Sequence, residues 1–171
     1  MKPPLKNKRQ QAIILHITIL LSSFLITLLT TSFIATPSMV IGSSMQPTLD
    51  SRNIVLVNKL HKDYDRLDIV IIELPEESII KRIIGIPGDT IQIKDGYVYV
   101  NEVQIDDVVD TKTDFSGTAF APLTLKAGEY FVLGDNRSES MDSRYRKIGP
   151  IKEEQIVGEV LISIIPPKAI N

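Results

Sequence analysis

A long uncharged stretch near the start of the chain constrains the fold more than any other feature. Between Arg9 and Asp50 the sequence contains no Lys, Arg, Asp or Glu. Within it, residues 12–35 read AIILHITILLSSFLITLLTTSFIA and are predominantly apolar. A helix of about 24 residues, rising about 1.5 Å per residue, is long enough to cross a bilayer core of about 30 Å. The sequence therefore predicts a transmembrane helix over residues 12–35.

Two other interpretations of this stretch fit less well. The apolar core of a cleavable secretory signal is about 7–15 residues long and ends in an A-x-A-like site. Here the run is longer, and the candidate site at Ala35 has bulky Phe33 before it and Pro37 after it. A buried helix of a soluble core is rarely apolar on every face for so long. We expect an uncleaved anchor.

The charges that flank the stretch predict its orientation. Four basic residues precede it: Lys2, Lys6, Lys8 and Arg9. The next positive residue is Arg52. The positive-inside rule then makes residues 1–11 a cytoplasmic tail, residues 12–35 a membrane anchor and residues 37–171 an extracytoplasmic domain. The lipid bilayer is thus an expected partner.

The composition of the outer region excludes several classes of function. It carries 15 basic and 21 acidic residues, whereas nucleic-acid-binding domains are basic. The chain has no cysteine, which excludes disulfides, a Cys nucleophile and Cys-ligated metals. Of its two histidines, His16 lies in the predicted span and His61 in a charged turn. We therefore expect no nucleic acid and no metal.

After the helix the hydrophobic pattern changes to short segments rich in Ile, Val and Tyr. They read NIVLVNKL, LDIVIIEL, SIIKRIIGI, DTIQIKDGYVYVNEVQI, GEYFVLGD and QIVGEVLISII. Turn-forming residues separate them, which is typical of antiparallel β structure. The predicted fold is mainly β: a transmembrane helix followed by an antiparallel β-barrel or sandwich, without a further helix. Residues 107–124 are predicted to be a long surface connection.

Residues 42–49, GSSMQPTL, follow the predicted helix and hold a candidate nucleophile, Ser44. The alternative is a simple linker, because Ser, Gly and Pro mark loops. A serine hydroxyl is a poor nucleophile until a base, usually His, removes its proton. Since His16 lies in the predicted span and His61 in a polar turn, a Ser-His-Asp triad is not expected.

The candidate base is Lys81, in the segment ESIIKRIIGIP. Strand alternation places Lys81 between Ile79 and Ile83 on one face. Arg82 lies on the opposite face, also beside isoleucines. A desolvated Lys loses its proton readily whereas Arg stays charged, so a buried Lys81 would act as a general base near pH ~7–8. The alternative is an edge strand protected by two solvated cations.

A third polar stretch, GDNRSESMDSRY, covers residues 134–145 directly after the apolar segment EYFVL. Asp and Asn bond to their own backbones in turns, so a polar hairpin loop is one interpretation. The stretch also concentrates hydroxyls, acids and arginines. Such a cluster would fix a turn by ion pairs and offer a hydroxyl to orient a lysine.

Together the three stretches resemble the type I signal peptidases, which are membrane-anchored Ser/Lys proteases, in their compact Gram-positive-type form. GSSMQPTL matches the nucleophile box Ser-Met-x-Pro-Thr-Leu, and IIKRIIGIPGD matches Lys-Arg-x-x-Gly-x-Pro-Gly-Asp. GDNRSESMDSRY matches Gly-Asp-Asn-x-x-x-Ser-x-Asp-Ser-Arg-Tyr. The boxes stand in the family's order, and the similarity extends to about residue 160.

The resemblance implies a role for each matched position. Ser44 is the nucleophile, Lys81 the base and Ser140 the hydroxyl that orients the lysine. Gly42 and Ser43 border the oxyanion site; some members have a serine hydroxyl at the position of Gly42, so here backbone N–H groups, above all that of Ser44, are expected instead. The expected structural support is Arg82, Asp135, Asn136, Asp142 and Arg144.

The implied substrate is a secreted preprotein whose signal peptide is cut after an A-x-A-like site, without metal or cofactor. Its extended end is expected to add main-chain hydrogen bonds beside SMVIGSS and the strand of Lys81. The predicted pocket is shallow and apolar, lined by Val40, Met45, Leu49, Val55, Ile79 and Ile80.

Three sites depart from the family pattern, and none is a predicted catalytic residue. This chain has Arg52-Asn53 where the family has Gly-Asp, and Leu67 where the family has the glycine of Arg-Gly-Asp. It has Arg146-Lys147 where the family has Trp-Gly. We expect them to affect local turns.

Other classes of protein share parts of the pattern. Self-cleaving repressor-type Ser/Lys peptidases resemble the serine and lysine stretches but are soluble. A pilin-type aspartyl peptidase would need several membrane spans. A non-catalytic anchored β-domain that binds peptides would tolerate Ser44→Ala.

Overall fold

The computed structural model describes residues 8–105 and 112–169, and begins with a single long helix. Helix α1 covers Lys8–Ile34. Its segment Arg9–Leu28 is apolar and long enough to cross a membrane, and none of it is buried within the protein. This agrees with the predicted span, although the helix begins four residues earlier. Residues 1–7 of the predicted tail lie outside the described residues.

Several polar side chains in the middle of α1 bond to the helix's own backbone. The hydroxyls of Thr18, Ser22 and Ser23 donate to carbonyls three or four residues earlier, at distances of 2.9–3.0 Å. His16 lies 2.6 Å from the Ala12 carbonyl through Nδ1. Self-satisfied polar groups of this kind suit a segment surrounded by hydrocarbon, where no water is available.

The rest of the described chain forms twelve strands and two short 3-10 turns. The first six strands are β1 Ala35–Met39, β2 Ile54–Asn58, β3 Ile69–Glu73, β4 Ser78–Gly85, β5 Thr90–Lys94 and β6 Tyr97–Val100. The others are β7 Val103–Gln104, β8 Leu123–Thr124, β9 Glu129–Leu133, β10 Ile151–Lys152, β11 Ile156–Ile165 and β12 Pro167–Lys168. The 3-10 turns are Gly117–Ala119 and Glu153–Gln155.

All pairings are antiparallel, as the sequence predicts. One sheet has the order β1-β2-β11-β3-β4-β9-β10, with β12 paired to β11. The second has the order β7-β6-β5-β8. Within the described residues neither sheet closes on itself, so the architecture is two open sheets and the predicted alternative of a barrel is wrong. The mainly β antiparallel class is confirmed.

Strand alternation distributes the apolar side chains among three core clusters. In β4, Ile83 belongs to the cluster around Tyr64 and Ile79 packs against it, whereas Ile80 packs against the cluster around Met45. Ile84 belongs to the third cluster, between the two sheets. The predicted assignment of Ile79 and Ile83 to one face is therefore confirmed.

Two segments differ from the sequence prediction. Strand β1 follows α1 without a break and pairs with β2, although ATPSM has weak strand signals. In the predicted surface connection 107–124, residues 106–111 lie outside the described residues. The remainder contributes the buried Ala119 to the core and Thr113 to a buried polar network, because long-range packing outweighs the local polar composition.

Candidate active site

The loop that carries Ser44 is fixed at both ends. Its base is closed by two backbone bonds, from Val40 N to Asn53 O (2.9 Å) and from Arg52 N to Val40 O (2.8 Å). Met45 and Leu49 are 1% and 0% exposed and anchor the loop in the core. The half-buried Ser44 lies directly before this anchor, so its hydroxyl has a defined position.

Lys81 reaches this loop from β4. Its Nζ lies 2.7 Å from Ser44 Oγ and 3.0 Å from the Ile80 carbonyl oxygen. The side chain is only 3% exposed. The structure thus brings together the two residues that the sequence predicts as nucleophile and base, although 37 positions separate them.

Burial controls the proton affinity of Lys81. Desolvation lowers the pKa of Lys81 from 10.5 to about 8, against the opposing attraction of Asp142, Glu77 and Asp135. The nearby Arg144 guanidinium lowers the pKa further. The amine is therefore neutral in a substantial fraction of molecules near neutral pH.

Ser140 differs from its expected role as the partner of Lys81. It is 2% exposed, and its Oγ has no hydrogen-bond partner among the described residues. The second polar contact of Lys81 Nζ is instead the Ile80 carbonyl. In this structure a backbone oxygen of the lysine's own strand, rather than the Ser140 hydroxyl, accepts the bond that orients the amine.

Two buried ion pairs hold the strands around the site. Arg82 binds Asp135 through Nε (2.9 Å) and Nη2 (2.8 Å), and it donates to the Leu67 carbonyl at 2.7 Å. Arg144 binds Asp142 through Nε and Nη2, both at 2.8 Å. All four charged side chains are at most 1% exposed. Paired and bidentate, they satisfy the requirement that a buried charge be matched.

The loop after β9 contacts the backbone of the loop that carries Ser44. Asn136 N donates to the Ser44 carbonyl (3.0 Å), and Asn136 Nδ2 donates to the Ser43 carbonyl (3.3 Å). The Ser43 hydroxyl donates to Glu139 Oε2 at 2.9 Å. Sequence reasoning missed Glu139, because it occupies an unspecified position of the matched box.

A groove of about 380 Å³ lies between β1 and β4. Val57, Ile71 and Val157 contribute apolar lining; Met39 and Ile80 line the two sides. Its charged members are Lys59 and Glu73, and its other members are Ser38, Ile41 and Ser78.

The six residues predicted to line a substrate pocket have different positions. Ile80 lines the groove. Ile79 packs against the cluster around Tyr64. The other four are buried in one core cluster: Val40, Met45, Leu49 and Val55. Their exposed fractions of 0–3% place them beneath the surface of the described structure, because they pack together in this cluster.

Comparison with known proteins identifies the family. The family model described as signal peptidase, peptidase S26, matches residues 13–165. Signal peptidase I S of Bacillus subtilis (strain 168) is 38% identical over 149 residues, which cover 78% of each chain. Signal peptidase I V of the same strain is 40% identical over 139 residues, covering 70% of this chain and 79% of the relative.

A solved structure of a signal peptidase I from Enterococcus faecalis V583 is also similar. It is 31% identical, with a TM-score of 0.48, and the match covers 57% of this chain and 96% of that one. The family match extends over most of the chain, so the protein belongs to the signal peptidase S26 family. It is accordingly a serine endopeptidase.

Proposed function

We propose that this protein removes signal peptides from secreted preproteins by cutting after an A-x-A-like site, with Ser44 and Lys81 as a catalytic dyad. The observation that carries the proposal is the 2.7 Å contact between Ser44 Oγ and the buried Lys81 Nζ. Family membership and the names of the Bacillus relatives support the substrate class.

The first step transfers a proton within the dyad. Neutral Lys81 accepts the hydroxyl proton of Ser44 through its lone pair, while one N–H remains bonded to the Ile80 carbonyl. Ser44 Oγ then attacks the scissile carbonyl carbon, and the carbonyl oxygen becomes an oxyanion. Backbone N–H groups stabilise this oxyanion, and each well-placed donor contributes about 3–4 kcal/mol.

The second half of the reaction releases both products. The Lys81 ammonium returns its proton to the leaving amine, and the signal peptide stays bound to Ser44 as an ester. Neutral Lys81 next takes a proton from water, which attacks the ester carbon. Collapse of the tetrahedral intermediate breaks the bond to Ser44 Oγ, which takes the proton back from Lys81, and frees the signal peptide as a carboxylic acid that then ionises in water. No metal or cofactor enters these steps.

The groove provides a place for the extended end of the signal peptide. Strand β1 is an edge of its sheet, and β9 pairs with β4 from Arg82 onward, so the segment Ser78–Lys81 has an open edge among the described residues. Open edges accept an added strand through main-chain hydrogen bonds. Small side chains such as Ala suit the shallow apolar floor between them.

The proposed topology places residues 1–11 in the cytoplasm, residues 12–35 in the membrane and residues 37–171 outside. It rests on the apolar helix and the flanking basic residues. Because the chain lacks cysteine, single variants Lys6→Cys and Lys126→Cys report accessibility cleanly. We expect an impermeant maleimide to label intact cells only at position 126; labelling only at position 6 would invert the topology.

The central test is cleavage of a preprotein with an A-x-A site by the detergent-solubilised protein. We expect Ser44→Ala and Lys81→Ala to abolish cleavage and His61→Ala to retain it, because the His61 ring packs near Tyr64 and is not part of the dyad. Cleavage by Ser44→Ala would overturn the nucleophile assignment. An inactive but folded wild-type protein would favour a peptide-binding domain without catalysis.

A further inference from the structure

The peptide bond between Ser43 and Ser44 determines where the oxyanion donor points. In a trans peptide the carbonyl of one residue and the N–H of the next lie in one plane and point in opposite directions. This bond is trans. Whatever holds the Ser43 carbonyl therefore also aims the Ser44 N–H.

Two donors hold the Ser43 carbonyl. They are Gln46 N, at 3.1 Å, and the Asn136 side-chain Nδ2, at 3.3 Å. The first bond is local to the turn, whereas the second comes from a loop 93 residues further along the chain. Asn136 N also binds the Ser44 carbonyl at 3.0 Å. The peptide planes on both sides of Ser44 are thus tied to one residue.

On the opposite side of the same peptide, the Ser44 N–H has no acceptor among the described hydrogen bonds. An unpaired backbone donor beside a nucleophile is suited to a negative charge that exists only during the reaction. Gly42 has no side chain to supply a hydroxyl donor there, and its φ of +94° suits glycine. The direction of the Ser44 N–H thus matters more in this chain than in family members that have a serine hydroxyl at the position of Gly42.

We propose that the Asn136 side-chain amide is a positioning residue for catalysis: by binding the Ser43 carbonyl, it aims the Ser44 N–H at the oxyanion. The proposal rests on the proposed reaction at Ser44. Asn136 contacts neither Lys81 nor the substrate in this scheme. Its loss should therefore weaken binding of the transition state but not binding of the substrate or the proton affinity of the base.

The test compares Asn136→Ala and the nearly isosteric Asn136→Asp with wild type in detergent. Both variants lack the Nδ2 donor, and the alanine variant also avoids the repulsion between a carboxylate at this position and the Ser43 carbonyl. We expect kcat to fall about tenfold to hundredfold, with KM changed by less than about twofold. The midpoint of the pH–kcat profile should not move, because Lys81 is untouched.

A second readout measures the oxyanion site directly. A peptide aldehyde ending in alanine adds Ser44 Oγ to its carbonyl carbon, with the hydroxyl proton passing through Lys81 to the new alkoxide. We expect its affinity for both Asn136 variants to fall by a factor similar to that for kcat. The uncleaved peptide amide of the same sequence should bind as it does to wild type.

Asn101→Ala is the matched control for lost stability. Asn101 also makes two side-chain bonds, to Thr90 N and Asp89, but in the second sheet. The Asn101→Ala variant should have a lower unfolding temperature than wild type, with kcat and aldehyde affinity unchanged. Unchanged kcat in both Asn136 variants, or a rise in KM alone, or a shifted pH midpoint, would overturn the proposal. Inactivity of wild type would instead overturn the proposed function.

Discussion

Lys81 combines a charged side chain with an almost fully buried position. Its amine touches Ser44 Oγ and one backbone carbonyl, and burial lowers its pKa to about 8. A base of this kind works only when it is neutral. The desolvation that would suit Lys81 to the proposed role of base near physiological pH also lowers the stability of the folded protein whenever the amine is protonated.

The first consequence is a pH dependence of the chemical step. With a pKa of about 8, the neutral fraction of Lys81 is ~1% at pH 6, ~10% at pH 7 and ~50% at pH 8. Single-turnover cleavage should therefore accelerate about tenfold per pH unit below pH 7 and level off above pH ~9. Rates measured from pH 5.5 to 9.5 check this. A flat profile down to pH 5.5 would contradict a lysine base.

The second consequence concerns stability. The folded state lowers the pKa of Lys81 from 10.5 to about 8, so unfolding takes up a proton between these values. Burying the protonated amine therefore lowers the free energy of unfolding. This loss is complete below pH ~8 and disappears as pH rises through 8 toward 10.5. It amounts to about 3 kcal/mol. We expect Lys81→Met to raise the unfolding temperature by several degrees at pH 7.

Thermal unfolding in detergent at pH 7 and pH 10 measures this effect. The advantage of Lys81→Met over wild type should shrink at the higher pH. Lys62→Met, at an exposed loop position, is the control and should show no such pH dependence. An equal advantage at both pH values would contradict the assigned cost of burying the amine.

At the scale of elements, the end of β9 must pass very close to the loop that carries Ser44. A Cβ built on Gly134 would lie 2.2 Å from Ser140 Oγ and 2.5 Å from the Ser44 carbonyl oxygen. Gly134→Ala should therefore push Ser44 from Lys81 and lower kcat at least about hundredfold. In Gly128→Ala the Cβ meets nothing within 4 Å. We expect this control to lose about 1 kcal/mol of unfolding free energy, because alanine is strained at the positive φ of this position. Its kcat should stay at the wild-type value.

Two turns carry left-handed residues where the family pattern has glycine. Arg52 and Leu67 have φ of 73° and 77°, a conformation that costs about 1–2 kcal/mol for a residue with a side chain. Glycine relieves this strain but loses more chain entropy on folding. We expect Arg52→Gly and Leu67→Gly each to stabilise the protein by about 0.5–1 kcal/mol, measured by thermal unfolding. Lys62→Gly, where φ is not positive, should destabilise it.

Local sequence signals singled out two residues that the structure brings together, Ser44 and Lys81, but not everything around them. Period-two alternation placed Ile79 and Ile83 on one face, and the three boxes marked Ser44 and Lys81. No local signal shows which apolar positions become covered when strands and loops pack, so Val40 and Val55 were expected in a pocket although they lie in the core. Contacts between distant loops, such as that of Asn136 with Ser43, depend on tertiary packing, so no periodic pattern in the sequence predicts them.

In the whole molecule, helix α1 leads directly into the strand that lines one side of the groove. Helix α1 ends at Ile34 and β1 begins at Ala35, which pairs with Asn58 beside the groove residue Lys59. The opposite wall runs from Lys81 back to Ser78, which pairs with Glu73. A peptide that leaves the membrane beside α1 would thus pass Lys59 and Glu73 before it reaches Ser44.

The register locates these charges along the substrate. Ser78 lies three positions before Lys81 in β4, a distance of about 10 Å, so Glu73 should face the side chain about four positions before the cut. Glu73→Lys should then raise the ratio of kcat/KM for a substrate with Glu at that position over one with Lys. At an exposed site the change should be about threefold to tenfold and should weaken at high salt. Glu154→Lys, which lies outside the groove, should leave the ratio unchanged, and an unchanged ratio in Glu73→Lys would show that the signal peptide takes another path.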